Sequence, residues 1–248
     1  MSYDYDAKLE NLLEKLQARS QEIKNYRDKL KWKFFQGSAT GAYKLDFDDS
    51  LWKEIGLPLL IDARKGESWL RCEVIVPSSI AGIEVLGSVA KLSSSIILGG
   101  SEIFANSRRV LRAEYWTELR GLKIVLKDGV KPQERFLVAV HILPHHEPIR
   151  IPVFTLTYSQ VEKAAFETDS FIQELRFVKK IREDVVRQVV KEFNLEVLNK
   201  KPSELVMEIE KARSILSKAL QAAKEFKVHL VGHAHIDMNW LWPWKDTV

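Results

Sequence analysis

The chain has 248 residues, 38 Lys+Arg against 34 Asp+Glu, a net charge of +4, and is 46% hydrophobic. That is room for one large or two modest domains, apolar enough to exclude wholesale disorder, and too evenly charged to argue for a nucleic-acid partner. The single cysteine, Cys72, excludes an intrachain disulfide, and no apolar run approaches the roughly 20 residues of a membrane helix.

The opening "MSYDYDAKLENLLEKL" is acidic and amphipathic, with no basic run followed by an apolar core. It is therefore not read as a secretion signal, and the expectation is a soluble, cytoplasmic protein. Leu9, Leu12, Leu13, Leu16, Ile23, Tyr26 and Leu30 recur at three- and four-residue steps, which predicts an N-terminal helix over 1–35. A loop at "QGSATGAY" ends it, bracketed by Gly37 and Gly41.

From 36 to 158 the period shortens. In "WLRCEVIVP" Leu70, Cys72, Val74 and Val76 alternate with Arg71, Glu73 and Ile75, the pattern of a half-buried strand stopped by Pro77, with Cys72 a core thiol. "SSSIILGGSEIFA" places two apolar runs around Gly99-Gly100 and predicts a hairpin. "LKIVLKDGVK" is a strand ending in the Asp128-Gly129 turn, "RFLVAVHILP" an internal strand, and "VFTLTY" its successor. Strands at this spacing predict a β-sandwich, jelly-roll-like, as an accessory domain.

At Ser159 the period lengthens again. Ser159 and Glu162 have the spacing of a capping box. Phe171, Leu175, Val178, Ile181, Val185 and Val189 predict one long helix, and a second follows Pro202-Ser203, so 159–226 is a helical connector. The chain is thus α+β, with a last segment, 227–248, in which Val228, Leu230 and Val231 lead into "GHAHIDMNWLWPW".

In α/β folds functional residues gather where strands end. His235 and Asp237 lie two apart, on one side of an extended backbone, and both suit zinc, which takes at least three protein ligands. Two ligands leave a metal site incomplete. The tryptophans at 240, 242 and 244 can stack on sugars or pack a loop. An isolated His-x-Asp is also what a satisfied loop histidine beside a capping aspartate looks like. The His-x-His at the end of a first barrel strand resembles the amidohydrolases. "HAHID" resembles the metallo-β-lactamase motif, but position 238 is Met rather than His. Elsewhere, "HILPHHEP" offers His141, His145, His146 and Glu147 as a metal cluster or a solvated loop.

The whole string "GHAHIDMNWLWPW" closely resembles the opening catalytic motif of the glycoside hydrolase family 38 α-mannosidases, over residues 228–248. That resemblance implies a zinc-dependent retaining α-mannosidase acting on terminal α-linked mannose of oligosaccharides. His235 and Asp237 would be its metal ligands, Asp237 and Trp240 would meet substrate, and His233 would be a non-ligand. It further implies that 227–248 is the first strand of a truncated β/α barrel whose nucleophile and remaining ligands are not in this sequence. No catalytic residue is therefore assigned, the metal (zinc or another divalent cation) has an incomplete site, and the chain alone is expected to be inactive. A complementing C-terminal polypeptide or self-association would cover the unpaired barrel strand. The alternative is a non-catalytic carbohydrate-binding or subunit-interaction module, with Trp52, Trp69 and Trp116 as its candidate aromatics.

Overall fold

The computed structural model describes residues 2–25, 30–97, 100–114, 119–199 and 202–227. The terminal motif, with the expected barrel strand, lies outside them. Among the described residues no helix is long and apolar enough to cross a membrane.

Helix α1, Ser2–Asn25, is shorter than its periodicity predicted. Residues Trp32–Gln36, assigned from sequence to the helix end and its loop, form strand β1, in which Trp32 is buried and alternates with Lys33. The correction has a simple cause: an apolar pattern at 30, 32 and 34 fits either period over so short a run. The strands that follow are β2 (Lys53–Ile55), β3 (Leu59–Ile61), β4 (Ser68–Ile75), β5 (Ser79–Ile80), β6 (Ile83–Glu84) and β7 (Ala90–Ile97). Then come β8 (Ser101–Ala105), β9 (Arg108–Ala113), β10 (Leu119–Lys127), β11 (Arg135–Ile142), β12 (Ile149–Ile151) and β13 (Phe154–Tyr158).

Two antiparallel sheets dominate: a six-stranded one ordered β2-β1-β4-β11-β8-β9 and a three-stranded one ordered β10-β7-β13. Their facing sides share one core, with Leu70, Ile103, Phe136 and Val138 from the first sheet and Leu92, Ile124, Leu156 and Tyr158 from the second. This is the sandwich the alternation predicted, with β11 internal between β4 and β8 and Cys72 in the core. The expected hairpin at Gly99-Gly100 is corrected. β7 pairs with β10 and β13, while β8 pairs with β11 and β9, so the chain there crosses from one sheet to the other. Periodicity tells which residues face inward, not which strand is the neighbour.

Beyond β13 the expected single helix is two, α2 (Ser159–Ile181) and α3 (Glu183–Glu192), broken at Arg182. α4 spans Pro202–Leu216. These pack with α1 around Leu9, Leu12, Leu16, Phe171, Leu175, Val186 and Ile209, a second core. The N-terminal helix and the helical connector therefore form one bundle. Both α1, through Ile23, and α2, through Val161, Ala164 and Ala165, also reach into the sandwich core.

The capping box at the start of α2 does not form. Ser159 is already helical, and its hydroxyl accepts the Val89 N–H at 2.9 Å. Glu162 receives Lys91 and Lys123, each at 2.9 Å, with the Thr157 hydroxyl farther off at 3.4 Å, rather than a backbone N–H at its own helix end. Partners from the adjoining sheet take the place of the reciprocal backbone bonds of a capping box.

Candidate functional site

The side of the six-stranded sheet away from the core carries the concentrated polar chemistry. Alternation along β4 sends Leu70, Cys72 and Val74 inward and Trp69, Arg71 and Glu73 outward; on β11 it sends Leu137, Ala139 and His141 outward. The segment 37–52 folds back over this outer face. Gly37 makes the return possible: its φ is +141°, and a Cβ there would stand 3.1 Å from the Phe35 ring.

Arg71 anchors the covering segment. Its Nε donates to Asp49 at 2.7 Å, Nη1 to the carbonyls of Ala42 and, at 2.9 Å, Lys44, and Nη2 to the Phe47 carbonyl at 3.4 Å. The guanidinium also lies 5.4 Å from the centre of the Phe47 ring. With only 4% of its side chain exposed, Arg71 is a buried charge made tolerable by these acceptors. Lys33, its cross-strand neighbour, shares Asp49 at 2.6 Å. Burial pushes the Asp49 carboxyl up, but Lys33 and Arg71 outweigh it and hold it below the usual carboxylate range.

At the other end of the same face His141 lies between two carboxylates, Nε2 at 2.7 Å from Glu67 and Nδ1 at 3.4 Å from Glu102. Its ring stacks on Trp69, centroids 4.0 Å apart and planes within 8°. Arg109 donates to Glu102 at 2.7 Å. The Ser38 hydroxyl and His141 hold the Glu67 carboxyl below its usual range. Trp69 Nε1 is buried with no hydrogen-bond partner among the described residues.

Between the covering segment and the sheet end runs an open groove of about 680 Å³, lined among others by Lys33, Phe47, Asp49, Arg71, Glu73 and Arg135. Arg135 donates to Glu73 at 3.3 Å, and both side chains are exposed at the groove's outer edge. Polar groups thus alternate in charge along a wall that also presents an aromatic ring. Such a surface both donates and accepts hydrogen bonds.

The residues expected from sequence to act, His235, Asp237 and Trp240 with His233, lie outside the described residues. Among those described, no three His, Cys, Asp or Glu side chains come together as a metal site. The "HILPHHEP" grouping divides: His141 joins Glu67 and Glu102, while His145 and His146 stack on each other at 4.3 Å and His146 is exposed. Of the proposed sugar-binding tryptophans, Trp69 is buried, Trp52 is stacked on Phe35 at 5.4 Å, and Trp116 lies outside the described residues. Sequence reading missed Arg71, Asp49, Lys33, Glu67 and Glu102. The one signal for Arg71 was an arginine in a strand otherwise rich in apolar residues.

No family model matches the chain, and no curated protein matches it. Among solved structures it is similar to a glycosyl hydrolase family 2 member from Bacteroides cellulosilyticus, at 19% identity and a TM-score of 0.43, over 53% of this chain and 20% of that one. A β-glycosidase from Bacteroides vulgatus matches at 17% identity and a TM-score of 0.42, over 55% and 20% of the two chains. A calcium-binding mutant of Bacteroides uniformis β-glucuronidase 2 matches at 21% identity and a TM-score of 0.38, over 47% and 14%. The chain thus spans a fifth or less of these proteins' length. They are glycoside hydrolases, but none is described as an α-mannosidase of family 38. This overturns the expected family membership and the zinc-dependent α-mannosidase activity drawn from it. The reason lies in where the signal sat: 228–248 alone carried the resemblance, and the preceding residues added only a similarity of layout.

Proposed function

We propose that this chain supplies a non-catalytic binding module of a carbohydrate-active hydrolase, and that the groove beneath 37–52 holds a hydroxyl-rich ligand. The observation that carries this reading is the groove's wall. Its donors and acceptors are fixed in advance by Arg71 and Asp49, so a ligand would not have to order them, and preorganisation of this kind favours binding. Sugar hydroxyls both donate and accept, which matches alternating Lys33, Asp49, Glu73 and Arg135 better than it matches a ligand of one charge. Asp49, held ionised by Lys33 and Arg71, is a fixed acceptor of this kind.

The test is titration of the full chain with neutral oligosaccharides of differing linkage, followed by amide chemical shifts. The expected result is perturbation of 44–49, 71–75 and 135–137. Arg135→Ala, an exposed substitution, should weaken the interaction roughly tenfold, as loss of a charged hydrogen bond does. Absence of binding across the panel, or perturbations that avoid these segments, would remove the reading.

A further inference from the structure

A second recess, of about 420 Å³, opens between α1 and α3, far in sequence from the sheet face described above. Its composition is divided. Leu12, Val190, Phe193 and Leu195 give it an apolar lining, and Lys8, Arg187 and Lys191 give it a cationic rim. Of these cations, Lys8 pairs with Asp4 at 2.7 Å and Arg187 with Glu183 at 2.6 Å, both on the protein surface. Lys191 has no carboxylate partner among the described residues, so the rim keeps a positive excess. Glu192, next in sequence, instead accepts from Gln188 at 2.8 Å.

Tyr5 contributes the third element. It lines the recess, its ring is covered by the Arg187 guanidinium at 3.9 Å, and Lys179 stands 5.9 Å away, itself paired with Asp6 at 3.0 Å. Only 7% of the residue is exposed, and its hydroxyl is buried with no hydrogen-bond partner among the described residues. A buried donor without an acceptor costs stability, and such groups persist where something else satisfies them.

From these features together we infer that the α1–α3 recess binds a small amphipathic anion, a carboxylate on an apolar body, with the carboxylate at Lys191 and the Tyr5 hydroxyl and the apolar body against Leu12 and Phe193. An apolar cavity with few convergent polar groups is how small-molecule sites are commonly built. Asp4, which also lines the recess, and Glu183 offset Lys8 and Arg187, so the charge that selects the anion is Lys191: it would repel an ammonium, and a neutral alcohol would leave it uncompensated.

The experiment is calorimetric titration of the full chain with octanoate, octylammonium and octanol, all below their aggregation limits. Octanoate is expected to bind at least about tenfold more tightly than either of the others. Tyr5→Phe keeps the ring under Arg187 and removes only the hydroxyl, so it should leave the melting temperature unchanged or raised while weakening octanoate about tenfold. Lys191→Gln, on the surface, should weaken it similarly. Equal binding of octanoate and octanol, no binding of octanoate, or octanoate affinity untouched by both substitutions would overturn the inference.

Discussion

At the scale of single residues the outer sheet face turns on Arg71. Removing its guanidinium leaves Asp49 partly buried and frees three carbonyls at once. Arg71→Met is therefore expected to cost about 3–5 kcal/mol, the range for breaking a buried pair from one side. Denaturant unfolding would read it, and a loss under about 1 kcal/mol would mean the covering segment is held by its aromatics and the Lys33–Asp49 pair without Arg71. The same pair sets an acid limit. Asp49 and Glu67 have folded-state carboxyls below the ordinary range, so the folded state favours their ionised form and the unfolded state takes up protons first. Their stabilisation is complete above the usual carboxylate pKa of about 4 and is lost as pH falls through the lower folded values. The urea midpoint should drop between about pH 5 and pH 3, and Asp49→Asn should flatten that drop; an unchanged profile in the variant would show that Asp49 contributes nothing to it.

At the scale of elements, what the sequence disclosed and what it hid separate cleanly. β4 and β11 were legible because alternation and continuous apolarity state how much of a strand is buried. The sheet crossing after β7, the covering of Arg71 by 37–52 and the diversion of Glu162 to Lys91 and Lys123 were not, since each depends on a partner distant in sequence. The candidate groove was hidden for the same reason: Lys33, Asp49, Arg71 and Arg135 meet only after folding. The start of α2 gives this a measurable form. Ser159 does not cap its own helix; it satisfies the N–H of Val89, at the entry to β7. Ser159→Ala should then cost about 0.5–1.5 kcal/mol, the net worth of a hydrogen bond at a half-buried site. The change should also raise hydrogen exchange at Val89, and exchange increased only within the first turn of α2 would restore the capping role.

For the whole molecule the decisive feature is that α1 and α2 each belong to two cores. Ile23 near the end of α1 packs with the sandwich, while Leu9, Leu12 and Leu16 pack in the bundle. On α2 the order is reversed, Val161 to Ala165 in the sandwich and Phe171 to Val178 in the bundle. Two helices cross the boundary in opposite chain directions, so among the described residues each core is built partly from the same helices as the other. Packed interiors pass local loss on to their neighbours. Leu16→Ala, a fully buried bundle leucine, should therefore cost about 2–5 kcal/mol and destabilise both cores together. Unfolding followed by far-ultraviolet circular dichroism, which weights the helices, and by exchange at β11 amides, which reports the central strand, should give coincident transitions in the parent and in the variant. Separation of the two, with the sandwich surviving the loss of the bundle, would make the shared helices mere contacts and the β-sandwich an independent folding unit.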